Sequence, residues 1–219
     1  MKKTFLLFIF LCLLSVFLYF SPQIDQSVAA FSFSSKTQNY ICTDNVWCDL
    51  GFNVVPWIVA IFMSNAILIL FLVKFIENPK RKKQLKRLSF ITLMSLLLGP
   101  GLIVNSALKD HWGRPRPRVV RFEHKPYAPV WKPQFTETSD NSFPSGHAAI
   151  GFFLGVPFLA LGYRKRGLLV GTFGCALIGC VRILQGGHFV SDVVFAGIFV
   201  WIGTEISIFI ADRLFQKRV

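Results

Sequence analysis

Three short stretches of this chain hold side chains whose types and spacing suit the handling of a phosphate group. They are residues 109–117 (KDHWGRPRP), 143–148 (FPSGHA) and 181–192 (VRILQGGHFVSD). The terminal oxygens of a phosphate monoester are gripped by arginine in a bidentate fork and by lysine as a point charge. Lys109, Arg116 and Arg182 are therefore candidate phosphate-binding cations. Ser145 and Gly146 stand where a helix is expected to open. The free N–H groups and dipole there favour an anion, and Gly146 lets backbone approach it closely. His188 and Asp192 are four apart and share one helical face. An aspartate accepting from one ring nitrogen leaves the other free to attack, which makes His188 a candidate nucleophile and Asp192 its partner. His147 is a second histidine, suited to protonating a departing oxygen.

The elements that must position these groups are apolar blocks. Of the 219 residues, 53% are hydrophobic. They fall in runs of roughly 20, long enough to cross a bilayer core of about 30 Å. The expectation is an all-α polytopic membrane protein, one domain over residues 1–219, with six transmembrane helices near residues 5–20, 54–76, 88–108, 147–163, 167–184 and 188–210. The first run exceeds a signal-peptide core and is read as an uncleaved span that ends at Ser21-Pro22. Gly99, Pro100 and Gly101 permit a kink in the third.

Orientation follows from charge. The formal net charge is +13, from 24 Lys and Arg against 11 Asp and Glu. No groove-reading motif accompanies it, so no nucleic-acid partner is expected. Lys2 and Lys3, the run at 80–87, the cluster at 164–166, and Arg213, Lys217 and Arg218 fall on one side if the spans alternate. Short basic loops stay cytoplasmic. Both termini are then cytoplasmic, and loops 21–53, 109–146 and 185–187 face the outer side of the membrane, where the three stretches at helix ends also fall. The outer loop breaks the tendency with Lys109, Arg114, Arg116, Arg118, Arg121, Lys125 and Lys132, so these cations need another reason to be there. Arg114, Arg118 and Arg121 read as surface charge, with a second anion site as the alternative.

The remaining candidates read as structural. His111 and His124 are expected at the surface, and Trp112, Tyr127 and Trp131 in an interfacial aromatic belt. Glu205 lies 17 residues past His188, about 25 Å along a helix, which places it at the cytoplasmic boundary. Cys12, Cys175 and Cys180 lie in apolar blocks and read as inert packing residues. Cys42 and Cys48 share one polar loop, where a disulfide and two free thiols are both open. Asp110, Glu123, Glu137, Asp140 and Asp192 are not spaced as a metal cluster. No metal and no cofactor are expected.

The three stretches, in order, resemble the signatures K-x6-R-P, P-S-G-H and S-R-x5-H-x3-D of the type 2 phosphatidic acid phosphatase superfamily. Lys109 with Arg116-Pro117 matches the first, residues 144–147 the second, and Arg182, His188 and Asp192 the third. Val181 departs from the pattern, standing where the family usually carries Ser. Residues 99–117 and 185–195 also resemble bacterial lipid A phosphatases of that superfamily, the 4′-phosphatase branch and the similarly designed 1-phosphatase branch.

The resemblance implies a lipid phosphatase, independent of metal, working through a phosphohistidine. His188 would be the nucleophile, His147 the acid and Asp192 the partner of His188. Lys109, Arg116, Ser145, Gly146 and Arg182 would hold the phosphate. The reaction centre sees only the phosphate, so undecaprenyl pyrophosphate and phosphatidylglycerol phosphate stand beside lipid A as substrates. A lipid or solute transporter is the reading from a different class, because charged groups in apolar helices also suit one.

Overall fold

The computed structural model of the protein describes residues 2–135 and 141–216, with side chains from Phe8 to Phe215 among them. The side chains of Lys2 and Lys3, and Glu137, Asp140, Lys217 and Arg218, lie outside the described residues. Among the described residues the chain is all-α apart from one small hairpin, β1 (Phe33–Ser34) against β2 (Asn39–Tyr40). The helices are α1 (Lys2–Phe31), α2 (Val46–Leu72), α3 (Pro79–Leu96), α4 (Pro117–Phe122), α5 (Gly146–Phe153), α6 (Val156–Ala160), α7 (Arg164–Leu184) and α8 (Val190–Gln216). Helix α3 runs on as a π-helical segment, Leu97–Lys109, that ends in the first signature.

Among the described residues, five helical stretches are long and apolar enough to cross a membrane: Phe8–Phe31, Val46–Phe75, Pro79–Lys109, Arg164–Leu184 and Val190–Phe215. Several exceed their expected bounds because capping, not the edge of the apolar run, decides where a helix begins. Asn45 opens α2, its side chain accepting from the N–H groups of Trp47 at 3.0 Å and Cys48 at 3.4 Å. Asn78 opens α3 in the same way, with Pro79 following, so the basic run from Lys80 is itself helical.

Two expectations are corrected here. The first helix does not end at Ser21-Pro22. Pro22 has no N–H for the carbonyl of Leu18, but the Ser21 hydroxyl donates to that oxygen at 3.0 Å, and the helix continues to Phe31. The expected span at 147–163 is two short helices, α5 and α6, meeting at Leu154 and Gly155. Pro157 cannot donate to the carbonyl of Phe153, and Gly155 relaxes the turn before it.

The core lies where α5, α7, α8 and α3 meet, around Ile91, Val104, Phe153, Val156, Ala196 and Val200. Helices α5 and α7 touch backbone to backbone: a Cβ built on Gly151 would overlap the carbonyl oxygen of Gly174. Gly151→Ala is therefore expected to cost about 1–3 kcal/mol through overpacking, read as a lower thermal midpoint in detergent.

At the end of the bundle opposite the signatures, Glu205 pairs with Arg164 at 2.6 Å and accepts from the Trp201 indole at 3.0 Å. Asp212 pairs with Arg87 at 2.8 Å, and Arg87 also donates to the Ala160 carbonyl at 2.6 Å. Arg87 is thus more than part of a solvated charge run. Cys42 and Cys48 form a disulfide. Cys175 is buried as expected, whereas Cys12 and Cys180 are exposed on helix faces, so they are not packing residues.

Candidate functional site

The three signatures meet at one end of the bundle, carried by the end of the π-helical segment, the start of α4, the start of α5, the end of α7 and the turn before α8. Three backbone links join the pieces. The amide of Ser142 donates to the Arg114 carbonyl at 2.8 Å, and the amide of Ser145 donates to the Asp192 carbonyl at 3.2 Å. The amide of Arg118 donates to the Gly186 carbonyl at 3.1 Å, and the chain turns at Gly186 with φ +63°. That turn rests against Tyr40, and Cys42 donates to the Leu184 carbonyl at 3.1 Å, so the disulfide loop buttresses it.

His188 is 1% exposed. Its Nδ1 lies 2.6 Å from the Ser142 carbonyl oxygen. A carbonyl only accepts, so Nδ1 carries the proton and Nε2 keeps the lone pair. The expected partner, Asp192, has its nearer oxygen at 3.7 Å from Nδ1, beyond a hydrogen bond. Its carboxylate accepts instead from the Phe189 amide at 2.8 Å and from Arg114. Tautomer selection thus belongs to Ser142, while Asp192 contributes charge beside the ring and holds the turn that carries it.

The expected cations converge. Lys109 lies within electrostatic reach of Arg116 and Arg182. His147 lies within reach of all three and of His188. Gly146 suits this closeness: a Cβ there would come within 2.9 Å of Asn105 Oδ1, so the Asn105 amide would have to shift. Ser145 caps α5, its hydroxyl oxygen accepting from the Ala148 amide at 3.4 Å, which leaves its own proton for an anion. Arg116 stands at the N-terminal boundary of α4. Arg182 is 8% exposed, donates to Gln185, and has a buried Nε with no hydrogen-bond partner among the described residues. Val181 packs near Gly51 of α2, 3.4 Å from the place of a Cβ there.

Residues outside the signatures also build the site. Phe52 of α2 is a shared platform: His147 stacks on it at 4.3 Å between centroids, and the Arg182 guanidinium lies 4.7 Å from its centre. Such contacts orient both groups at little entropic cost. Asn105 joins Lys109 at the mouth of a groove of about 620 Å³, whose walls include Val59, Met63, Leu96 and Ile150 and whose rim includes Gly146 and His147.

The largest correction concerns Arg114, which is fully buried and is neither surface charge nor part of a second anion site. Its five donor contacts are with the Ala128 carbonyl at 2.9 Å, Ser191 Oγ at 2.8 Å, Asp192, Asp25 Oδ2 at 2.8 Å and the Tyr127 hydroxyl at 3.1 Å. Burial disfavours its charge, but Asp192 and Asp25 more than offset this, and its pKa is raised above the ordinary value. Tyr127 is half-buried, with its hydroxyl turned into this cluster. Burial and then the Asp25 carboxylate push its phenol up, so it remains protonated and donates to Asp25 at 3.0 Å. Trp112 packs on Phe143 and donates to the Val130 carbonyl at 3.1 Å, also inside the fold. Trp131, His111 and His124 are exposed. So are Arg118 and Arg121, the latter placed over the Phe33 ring at 4.4 Å.

Residues 84–214 match the PAP2 superfamily. A lipid A 4′-phosphatase of Francisella tularensis subsp. novicida is 35% identical over 202 residues, 87% of each chain. A lipid A 4′-phosphatase of Rhizobium leguminosarum is 33% identical over 53% of this chain and 50% of its own. Phosphatidylglycerophosphatase B of Bacillus subtilis is 31% identical over 46% of this chain and 48% of its own. No solved structure matches significantly. The chain belongs to the PAP2 superfamily, and it carries that family's phosphatase signatures on a bundle whose described residues include five helices long and apolar enough to cross a membrane.

Proposed function

We propose that the protein removes the 4′-phosphate of lipid A at the periplasmic face of the inner membrane. The observation that carries this reading is the groove. Its mouth holds Lys109, Asn105 and His147, and its walls are hydrocarbon, so it accepts a phosphate and an acyl chain of one amphiphile together. The family and the Francisella relative, alike over most of both chains, support the same choice.

The bundle is read as six membrane crossings with both termini cytoplasmic. The broken pair α5 and α6 would make the fourth, shorter than the rest, and set the start of α5 below the outer surface. Lys109, Arg116 and Arg182, with the Ser145 hydroxyl and the free N–H groups opening α5, would hold the three terminal oxygens. The lone pair on Nε2 of His188 attacks phosphorus, the bond from phosphorus to the sugar oxygen breaks, and a proton from His147 leaves with that oxygen. His147, now neutral, takes a proton from water. The water oxygen bonds to phosphorus, the N–P bond breaks, and inorganic phosphate departs. The cations stabilise the equatorial charge throughout both steps.

The test uses detergent-purified protein with lipid A, undecaprenyl pyrophosphate and phosphatidylglycerol phosphate in parallel. The expected result is release from lipid A of one phosphate, assigned by product fragmentation to the 4′-position and unaffected by EDTA. Preference for either other lipid overturns the substrate. Activity lost to EDTA and restored by a divalent ion overturns the metal-independent chemistry.

A further inference from the structure

Asp25, on α1, lies outside the family-matched residues, yet it reaches the ground behind the nucleophile. It is 1% exposed, and both of its oxygens are used. Oδ1 accepts from the Ser191 amide at 2.9 Å, and Oδ2 accepts from the Ser191 hydroxyl at 2.6 Å, the Tyr127 hydroxyl at 3.0 Å and Arg114 at 2.8 Å. Ser191 precedes Asp192 and lies three residues past His188, so Asp25 holds the first turn of α8 in place from another helix.

We propose that Asp25 is a positioning residue for the reaction: through Arg114 it sets the orientation of Asp192 and the net charge of the Asp25–Arg114–Asp192 cluster, and so readies His188 for attack. This rests on the phosphatase reading above. Arg114 alone would cancel the field of Asp192 at the imidazole. With Asp25 on the other side of the guanidinium, two carboxylates stand against one cation, and one net negative charge remains beside the ring. That charge matters when Nε2 bonds to phosphorus, because the ring, protonated at Nδ1, then becomes cationic. Replacing Asp25 by Asn keeps size and some hydrogen bonding, leaves Arg114 and Asp192 as a neutral pair, and removes the stabilising charge from the transition state. Phosphate binding by Lys109, Arg116 and Arg182 is untouched, so the loss falls on turnover.

The experiment compares wild type, Asp25→Asn and Tyr127→Phe by steady-state kinetics on lipid A, with thermal midpoints measured on the same preparations. The expected result for Asp25→Asn is kcat lowered on the order of 10- to 100-fold with KM unchanged. Tyr127→Phe, which removes one donor to Asp25 and one acceptor of Arg114 and so loosens their alignment, is expected to lower kcat a few-fold, again with KM unchanged. A folded Asp25→Asn protein with wild-type kcat overturns the proposal, as does a loss that vanishes once rates are expressed per folded molecule. If Asp25→Asn does not fold, Tyr127→Phe decides, and an unchanged kcat overturns it. A wild type inactive on lipid A and on both other lipids sinks the phosphatase reading and this role with it, a result distinct from an active wild type beside an active Asp25→Asn.

Discussion

His188→Ala is expected to reduce phosphate release from lipid A by at least roughly 10⁴-fold, with lipid binding retained. The reason is geometric. Nδ1 is committed to the Ser142 carbonyl at 2.6 Å, so the ring presents a single lone pair, on Nε2. Alanine removes it, and no other imidazole can stand in: His147 is fixed on Phe52, and His111 and His124 are exposed. Alanine also leaves the Ser142 carbonyl without its donor, at about 1–3 kcal/mol. His188→Asn is therefore the better partner variant, since its amide can donate to that carbonyl without supplying a nucleophile. Both are expected to be inactive, with Asn the more stable. His111→Ala, at an exposed and unspecified position within the first signature, is expected to leave turnover unchanged. Turnover retained by folded His188→Asn would remove the phosphohistidine from the mechanism and direct attention to water as the attacking group.

The parts legible in the sequence are those whose meaning is local. Lys109 and Arg116 are seven residues apart, His188 and Asp192 four, and Pro144 to His147 are contiguous. Rare residue types at helix ends of an apolar chain leave few readings, and the structure gathers all of them at one end of the bundle. What is not legible depends on distance along the chain. Arg114 sits among seven cations of one loop and looks like its neighbours. Its identity comes from Asp192, 78 residues away, and Asp25, 89 residues away. Asp25 did carry a signal, since a carboxylate in an apolar helix demands a partner. With Pro22 read as the end of that helix, Asp25 falls in a loop and the demand disappears. Phe52 gave no signal, because an aromatic in an apolar helix is ordinary until His147 is seen stacked on it. The division of α5 from α6 was written in Gly155 and Pro157, and the hydropathy of the run concealed it.

The second large effect is expected at Arg114, on stability rather than on binding. Arg114→Met removes the cation from between two buried carboxylates, leaving Asp25 and Asp192 with no counter-ion, and is expected to cost about 3–5 kcal/mol. Arg87→Ala is the internal contrast. It breaks an ion pair of similar length, but the side chains of Arg87 and Asp212 are 27% and 36% exposed, and water re-solvates what remains. Its ion-pair component is worth at most about 1 kcal/mol. Arg114→Lys should fall between the two. It keeps the charge, but an ammonium with three donors cannot reach the five acceptors that the guanidinium now serves. Thermal midpoints of the three proteins in detergent would order them Arg87→Ala, Arg114→Lys, Arg114→Met, from most to least stable. An Arg114→Met protein as stable as Arg87→Ala would mean that the two carboxylates take up protons or admit water at little cost, and that the buried triad is not what holds α1 against the first turn of α8.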